Sequence, residues 1–356
     1  MTTPVYDTSK PALVTGATGY IAGWIVKGLL EQGITVHAAV RDPDNTKKYA
    51  HLTALLKGDA DQLRFFKADL LEEGSFDAAM AGCGIVFHTA SPFTSKFKDA
   101  QTELVDPAVK GTRNVLESAN RTDSVERVVV TSSCAAIYGD AADCLEMPEG
   151  KLSEEIWNTS SSVDHQPYSF SKTQAEKAAW DIAKAQDRWS MVTINPSLVM
   201  GPGVALQPNS ESVSILKQFG DGTMKHGVPK FEIGIVDVRD VADAHLRGGY
   251  MAEAEGRHII CAKTMSMLEI GQVLERKFGR DWPFPQSTAP KWLLWVFGPI
   301  FNKAFTRKMI SKNIGHAWQA DNSKSKEKLG MGYRNTETAI TDMFEQMIDE
   351  GVFGKS

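Results

Sequence analysis

Hydrophobic and polar positions alternate along most of this chain in the order strand, turn, helix, strand. The first block begins with a short apolar run, Ala12 to Val14, followed by the glycine-rich segment TGATGYIAG at 15–23. Apolar residues then recur at helical spacing until Gly33, which is typical of a helix C-cap, and a second strand follows at 34–40. These residues therefore predict a βαβ unit.

The same alternation continues towards the middle of the chain. Further strands are predicted at 63–68, 84–90 and 127–131, with helical stretches between them. Strands that alternate with helices build a parallel sheet with helices on both faces. The predicted fold class is therefore α/β: a Rossmann-type doubly wound parallel sheet with a smaller, mostly helical C-terminal substrate domain.

The pattern also predicts how the chain divides. The predicted dinucleotide-binding domain comprises residues 1–200, with 233–262 returning to it, and the predicted substrate-binding domain comprises 201–232 and 263–356. The less regular segments 139–166 and 201–232 are rich in polar residues, Gly or Pro, and such loops commonly carry binding residues on a fixed scaffold. A surface helix, a turn and a final amphipathic helix are predicted at the C-terminus.

Aromatic residues are concentrated beyond the predicted helix at 268–278. They could roof an apolar pocket, form a homodimer face or fill a small second core, and we favour the second core. The residues are Trp282, Phe284, Trp292, Trp295, Phe297 and Phe301.

The glycine-rich segment after the first strand predicts a dinucleotide site. Gly16 and Gly19 allow a tight turn and close approach of a pyrophosphate, which then lies against the N-terminal amides of the following helix. Ala22, the third small position, allows the helix to pack closely on the strand.

The end of the second strand indicates which dinucleotide binds. Arg41 stands where an NAD-specific site usually has an acidic residue, and its guanidinium can bind a 2'-phosphate. Lys48 could add a second positive charge. The predicted cofactor is therefore NADPH/NADP; in the alternative, both cations are solvated and Asp42 accepts the ribose hydroxyls of NAD.

Three further strand ends carry small or polar side chains. Ligands of doubly wound sheets bind beyond the carboxyl ends of the strands. Asp69 could therefore meet the adenine amino group, while the small residues at 89–91 leave room for the cofactor. Each of these side chains could equally cap its strand, because Asp and Ser are common there. The residues at these ends are Asp69, Leu70, Thr89, Ala90, Ser91, Thr131, Ser132 and Ser133.

Tyr168 and Lys172, in YSFSK, stand four residues apart before a run of good helix formers. On a helix these side chains are neighbours on one face. Taken alone, such a pair is usually a packed tyrosine beside a solvated lysine. The glycine turn and the strand ends that precede the pair favour a catalytic role.

The composition narrows the class of ligand. The chain has 356 residues, 42% of them hydrophobic and 23% charged, with a formal net charge of −5. The negative charge argues against nucleic acid or an anionic membrane as the main partner, so we expect a small-molecule substrate and a monomer or homodimer. The N-terminus lacks the apolar core of a signal peptide, and the apolar run at 292–300 is too short to span a bilayer.

The cysteines and histidines suggest no metal site. The four cysteines form no CxxC pair, so we expect reduced thiols and a cytoplasmic protein. Cys134 adjoins Ser133, but no histidine is close in sequence, and we interpret it as a buried, inert thiol. His88 and His245 are interpreted as packed structural residues.

Together these motifs resemble those of the extended short-chain dehydrogenase/reductase superfamily, and most of all its dihydroflavonol 4-reductase-like branch. That branch also holds cinnamoyl-CoA reductases and many microbial NADPH-dependent aldehyde and ketone reductases. The similarity covers most of residues 11–262. The motifs are TGATGYIAG at 15–23, Arg41, Asp69 with Leu70, HTASPF at 88–93, VVVTSSCA at 128–135, YSFSK at 168–172, INPSLVMGP at 194–202 and VDVRDVADAH at 236–245.

The resemblance implies a reaction and a role for each catalytic residue. Tyr168 would donate a proton to a substrate carbonyl oxygen while the cofactor delivers hydride to the carbon. Lys172, together with the oxidised nicotinamide, should lower the pKa of Tyr168, and it also holds the nicotinamide ribose. Ser133 would bind the carbonyl oxygen, although Ser132 is the neighbouring candidate. Pro196 to Leu198 would contact the carboxamide.

The resemblance also implies two sets of contacts. The expected substrate contacts are Ser91, Phe93, Ser133 and Tyr138. The expected cofactor contacts are Gly16, Thr18, Gly19, Tyr20, Ile21, Arg41, Lys48, Asp69, Leu70, Thr89, Ala90, Ser91, Thr131, Tyr168, Lys172, Pro196 and Leu198.

Two departures from the plant enzymes bear on the substrate. Tyr138 stands where plant dihydroflavonol reductases carry a polar specificity residue, although it could stack on an aromatic carbonyl. The segment DHQPYSFSK, at 164–172, replaces the NWYCYxK wording of cinnamoyl-CoA reductases. We therefore expect a carbonyl reductase of broad, microbial type. The alternatives are a dihydroflavonol or cinnamoyl-CoA reductase, a nucleotide-sugar epimerase or dehydratase with bound NAD, and a regulator that senses NADP.

Overall fold

Seven parallel strands form the central sheet of the computed structural model, which describes residues 3–91, 97–208, 210–301 and 305–354. The strand order is β10-β6-β5-β4-β1-β2-β3. Strands β2 and β3 are added on one side of β1 and strands β4 to β6 on the other, so the order of the strands changes direction between β1 and β4. The strands of this sheet are β1 (Ala12–Thr15), β2 (Val36–Val40), β3 (Leu63–Lys67), β4 (Ile85–His88), β5 (Arg127–Thr131), β6 (Ser190–Pro196) and β10 (Gly256–Ile260).

Helices cover both faces of this sheet. Ile25 and Leu29 of α1 are fully buried on one face, and Val115 and Leu116 of α4 are fully buried on the other. The helices are α1 (Tyr20–Glu31), α2 (Ala50–Thr53), α3 (Asp77–Met80), α4 (Asp106–Arg121), α5 (Pro167–Lys184), α6 (Glu211–Gly220), α7 (Val238–Tyr250), α8 (Met267–Phe278), α9 (Lys291–Phe301), α10 (Arg307–Asn313), α11 (Ser323–Lys328) and α12 (Thr336–Asp349). The predicted doubly wound α/β fold is confirmed.

A smaller unit lies beside the main sheet. It contains a three-stranded sheet ordered β11-β9-β7 and a short β8–β12 pair. Helices α8 and α12 supply most of its core, which includes the fully buried Phe344 and the nearly buried Phe284. Its strands are β7 (Leu198–Met200), β8 (Val228–Pro229), β9 (Glu232–Asp237), β11 (Lys263–Ser266) and β12 (Thr288–Ala289).

The sheets cut across the ranges predicted for the two domains. Of the segment 233–262, β10 adds a strand to the main sheet, whereas β9 pairs with β7 and β11 in the small sheet. Strand β7 itself falls within the range 1–200. The division of the chain into domains therefore remains a prediction.

The segment 201–232, expected to be a loop, contains the ten-residue helix α6. The Ser210 hydroxyl caps it by accepting a hydrogen bond from the backbone N–H of Val213 at 3.3 Å. Val213, Leu216 and Phe219 then recur every three residues and are buried against the small unit. This short apolar period was masked by the surrounding Gly and Pro.

The aromatic segment divides between two environments. Trp282 and Phe284 pack with Phe344, so the expected second core is confirmed for these two side chains. Helix α9 instead exposes its apolar residues, including Trp292 at 66% and Ile300 at 74%. The second-core expectation is therefore wrong for three aromatic residues of α9, which are Trp292, Trp295 and Phe297. The side chain of Phe301, which ends α9, lies outside what the structure describes. Within the described ranges, no helix is both long and apolar enough to cross a membrane.

Candidate active site

The glycine turn leads directly from β1 into α1. Gly16 has φ +61°, and a Cβ added there would lie 3.0 Å from the Cβ of Ala90, so only glycine is accommodated without strain. Gly19 is the N-cap of α1; among the described residues, no side chain caps this end, and its first turn has no acidic residue. The helix therefore presents its N-terminal amides and positive dipole end in a form that can bind an anion.

Thr15, at the end of β1, joins the turn to β4. Its hydroxyl oxygen accepts hydrogen bonds of 3.1 Å from the backbone N–H groups of Thr89 and Ala90 and lies 3.0 Å from Nδ1 of His88. The Thr89 hydroxyl donates to the Thr15 carbonyl at 2.5 Å. This network holds the ends of the two strands together, and Thr15 was not singled out from the sequence.

The loop after β2 carries the charged residues expected to select the cofactor. Arg41 and Lys48 are both exposed. One carboxylate oxygen of Asp42 accepts a hydrogen bond of 3.2 Å from the backbone N–H of Asp44, so it helps to shape the loop. The cationic ends of Arg41 and Lys48 can therefore reach a phosphate without losing a buried interaction.

Asp69 and Leu70, after β3, take part in local structure. Oδ1 of Asp69 accepts a hydrogen bond of 2.8 Å from the backbone N–H of Leu71. This contact corresponds to the alternative expectation that Asp69 caps its strand. Leu70 packs closely on Gly111 of α4. Their contacts with adenine remain predictions.

Helix α5 begins one residue before the expected proton donor, Tyr168. Gln166, its N-cap, has left-handed backbone angles, φ 55° and ψ 52°, and Pro167 takes the first helical position. His165, just outside the helix, is buried, and its Nε2 lies 2.7 Å from Oδ2 of Asp140. Asn313 of α10 donates to the other oxygen of Asp140 at 2.6 Å. The start of α5 is thus attached to the C-terminal part of the chain.

Tyr168 follows on the first turn of α5 and is 39% exposed. Partial loss of hydration raises the pKa of Tyr168 to about 12, a hydrogen bond with Ser133 lowers it, and the nearby carboxylate of Glu211 raises it. In the protein on its own, loss of hydration outweighs the favourable contact with Ser133. The lowering of this pKa expected from Lys172 and the oxidised nicotinamide together stays a prediction.

Lys172 lies one turn further along the same helix, as predicted. Its ammonium is 5.9 Å from the centre of the Tyr168 ring and donates a hydrogen bond of 3.1 Å to the Ser91 hydroxyl at the end of β4. Burial lowers the pKa of Lys172 to about 8, although the carboxylate of Glu176 raises it. Ser91, Ser133, Tyr168 and Lys172 are therefore brought to one place.

The two serines after β5 differ in their surroundings. Ser132 is buried, and its hydroxyl donates to Glu176. Ser133 is half-buried; its hydroxyl accepts a hydrogen bond of 3.1 Å from the backbone N–H of Ala135 and bonds to Tyr168. Ser133, not Ser132, therefore shares the Tyr168 phenol and can meet a substrate oxygen there.

Other expected contacts are occupied by protein groups. The Thr131 hydroxyl lies 2.7 Å from Nε2 of His245, and the Tyr20 hydroxyl donates to the carbonyl of Gly201. Tyr138 packs edge-on against Trp318, with their ring centres 5.7 Å apart. These interactions leave the cofactor contacts of Thr131 and Tyr20, and the substrate contact of Tyr138, as predictions.

Four more of the expected cofactor contacts lie near the strand ends or the glycine turn and stay predictions. Pro196 ends β6 and Leu198 begins β7, so both lie at the strand end where the carboxamide is expected. Thr18 directly precedes Gly19, and Ile21 lies in the first turn of α1. Phe93 lies outside the described residues.

The histidines and cysteines fit structural roles. His88 and His245 are buried, and burial lowers the pKa of His88 to about 3 and that of His245 to about 4, so both are neutral near pH 7. All four cysteines are free and buried, and burial raises the pKa of Cys134. The burial predicted for Cys134 is therefore confirmed. In the ranges that the structure covers, no three His, Cys, Asp or Glu side chains cluster as metal ligands.

The family assignment comes from a comparison with protein-family models. Residues 12–260 match the NAD dependent epimerase/dehydratase family. The chain belongs to this family. It is an extended short-chain dehydrogenase/reductase of the dihydroflavonol 4-reductase-like branch and an NADP-dependent oxidoreductase.

Named relatives place the chain among reductases. It is 43% identical to cinnamoyl-CoA reductase CAD2 of Medicago truncatula over 270 residues, covering 74% of this chain and 80% of the relative. It is 34% identical to tetraketide alpha-pyrone reductase 1 of Arabidopsis thaliana over 345 residues, covering 95% of each. The solved structure of yeast methylglyoxal/isovaleraldehyde reductase Gre2 with NADPH matches this chain with a TM-score of 0.76. The two are 26% identical, and the match covers 96% of this chain and 99% of that one.

The residues around the glycine turn and the end of β2 of this extended short-chain reductase fit a dinucleotide. The uncapped N-terminus of α1 can hold the pyrophosphate, and Gly16 leaves the backbone open to it. Arg41 lies exposed at the end of β2, where a 2'-phosphate would be bound. The cofactor is NADPH, in agreement with the solved Gre2 complex.

Proposed function

We propose that this protein reduces an aldehyde or ketone to the alcohol, with Tyr168 as the proton donor. The observation that carries the proposal is the junction of Ser133, Tyr168 and Lys172 beside the end of β4. Named relatives that act on carbonyl substrates support it, Gre2 among them. Bound NADPH supplies the hydride that adds to the carbonyl carbon.

The chain's own residues supply the proton and hold the carbonyl group. The hydroxyl of Ser133 donates a hydrogen bond to the carbonyl oxygen, where negative charge develops. The Tyr168 O–H bond breaks as its proton passes to that oxygen, which completes the alcohol. The positive charge of Lys172 then stabilises the phenolate until solvent returns a proton.

The substrate proposed for this site is a small carbonyl compound. The expected product is an alcohol formed from a small aliphatic or aromatic carbonyl, because the segment DHQPYSFSK departs from the wording of cinnamoyl-CoA reductases. Tyr138 packs against Trp318, so it can form one wall of a pocket for an aromatic group only on its remaining face.

The test is a panel of aliphatic aldehydes, aromatic ketones, dihydroflavonols and cinnamoyl-CoA, each assayed with NADPH and with NADH. We expect NADPH oxidation with at least one aldehyde or ketone and formation of the matching alcohol. Purification with tightly held NAD, together with interconversion of a nucleotide sugar without net oxidation, would instead establish the epimerase alternative.

A further inference from the structure

A buried carboxylate lies one helical turn beyond Lys172. Glu176 is 2% exposed, and its position on α5 places it on the same face as Tyr168 and Lys172. A buried carboxylate is costly unless charged and polar groups compensate it. The burial of Glu176 therefore depends on the groups that contact its carboxylate.

The partners of Glu176 come from strands β6 and β10 of the main sheet, from the residue after β5 and from α5 itself. Nε of Arg257, on β10, donates to Oε1 at 2.6 Å. Nδ2 of Asn195, on β6, donates to Oε2 at 2.8 Å, and the Ser132 hydroxyl beyond β5 donates to the same oxygen. Thr193 and Trp180 add contacts of 3.3 Å each. Glu176 therefore connects α5 with the ends of the strands that form the site.

We propose that Glu176 is a positioning residue of the active site, which holds Ser133 in place and maintains the positive charge of Lys172. The proposal rests on the function proposed above. Glu176 reaches Ser133 from both sides, because it binds the hydroxyl of the preceding Ser132 and the amide of Asn195. That same amide donates a hydrogen bond of 3.2 Å to the Ser133 carbonyl.

The second part of the role is electrostatic. Glu176 and Lys172 also line one small cavity with Ser91, Thr131 and Ser132. The negative charge of Glu176 raises the pKa of Lys172 and so opposes the effect of burial.

The other charged groups around this pair have identifiable effects. Arg257 neutralises much of the Glu176 charge and is itself held by the carbonyls of Glu154 and Ile156. The Glu154 carboxylate accepts a bond of 2.9 Å from the backbone N–H of Ile259. His88 faces Lys172 from β4 but is neutral near pH 7. Lys177 and Arg257 both contact the ring of Trp157.

The test replaces Glu176 by Gln, which keeps the shape but removes the charge. Lys172 is titrated by NMR after reductive methylation with a ¹³C label, with Lys172→Ala to assign its signal. We expect Glu176→Gln to lower the Lys172 pKa and to move the alkaline limb of kcat/KM downward. A fall of about one pH unit from a pKa near 8 reduces the charged fraction at pH 8 about fivefold.

A matched control separates positioning from general stability. Asp240, on α7, is another buried carboxylate that pairs with an arginine, Arg334. Asp240→Asn should lower the melting temperature without moving the Lys172 titration or the alkaline limb. If Glu176→Gln behaves like this control, the positioning role is overturned while the proposed carbonyl reduction stands.

Further variants cover loss of folding and failure of the proposed reaction. Arg257→Gln removes the neutralising cation and should move the Lys172 pKa upward, opposite to Glu176→Gln. If neither variant folds, Ser132→Ala should lower kcat with little change in NADPH affinity, and an unchanged kcat would overturn the positioning role. If the natural protein reduces no carbonyl, the NMR titration still reports whether Glu176 sets the charge of Lys172.

Discussion

The ammonium of Lys172 donates a hydrogen bond of 3.1 Å to the Ser91 hydroxyl, linking the catalytic helix to the end of β4. These residues are 81 positions apart in sequence. The contact places the positive charge beside the strand ends, where a dinucleotide lies in this fold class. It also leaves Lys172 partly desolvated, which is why its pKa is about 8.

Removal of the Tyr168 hydroxyl should abolish most turnover. Tyr168→Phe is expected to lower kcat by about 10²–10⁴-fold, the usual contribution of a positioned proton donor, with NADPH affinity nearly unchanged. Steady-state kinetics and cofactor titration by fluorescence measure the two effects. Tyr333→Phe is the control, because its hydroxyl bonds to Ser325 outside the site. Turnover retained by Tyr168→Phe would place the proton donor elsewhere.

Reduction should weaken as pH rises through about 8. The expected cause is deprotonation of Lys172, which removes the charge that stabilises the Tyr168 phenolate. Lys172→Arg keeps a positive charge at all accessible pH values, so any activity it retains should lack this alkaline limb. A limb at the same pH in Lys172→Arg would assign the titration to another group.

Lys172 should lower the free energy of unfolding at neutral pH. Its pKa is about 8 in the folded protein and 10.5 in the unfolded chain, so the unfolded state binds more protons between these values. The free energy of unfolding therefore increases as the pH rises through this window, because the unfavourable contribution of Lys172 disappears. Lys172→Met should melt at a higher temperature than the natural protein at pH 7, and the difference should shrink towards pH 10.5. A difference that stays constant with pH would contradict this explanation.

Arg41 should determine the preference for NADPH over NADH. A hydrogen bond to a charged group contributes about 1.5–3 kcal/mol, so Arg41→Asp should weaken NADPH binding about 10–100-fold and change NADH binding much less. Isothermal titration with both cofactors measures the ratio. Lys47→Asp, an equal charge reversal in the same exposed loop, is the control. Equal losses for both cofactors in Arg41→Asp would exclude the phosphate contact.

Gly16→Ala should weaken NADPH binding by more than its loss of folding stability accounts for. Its left-handed φ of +61° strains any side chain, and the added Cβ lies 3.0 Å from Ala90. Gly33→Ala is the matched control: its φ is +78°, and nothing that the structure describes lies within 4 Å of the added Cβ. We expect each to lose about 1 kcal/mol of stability, but only Gly16→Ala to lose NADPH affinity. Equal affinities would show that the turn does not approach the cofactor.

Local patterns predicted the parts of the site that depend on neighbouring residues. The turn from β1 into α1 follows from glycines that permit a left-handed conformation and from the apolar period behind them. The spacing of Tyr168 and Lys172 follows from helical geometry, since four residues make about one turn. The helix α6 was missed because Gly and Pro on both sides hid its short apolar period.

The sequence by itself determined the doubly wound fold, the glycine turn and the helical face that carries Tyr168 and Lys172, because all depend on short-range periodicity. Only the tertiary structure decided that Glu176 is buried, that Arg257 neutralises it from 81 residues away, and that Asn313 reaches Asp140 from 173 residues away. These partners lie on separate strands and helices, and no local pattern encodes which polar groups meet. The same holds for pKa values, which depend on the burial and charges that packing creates.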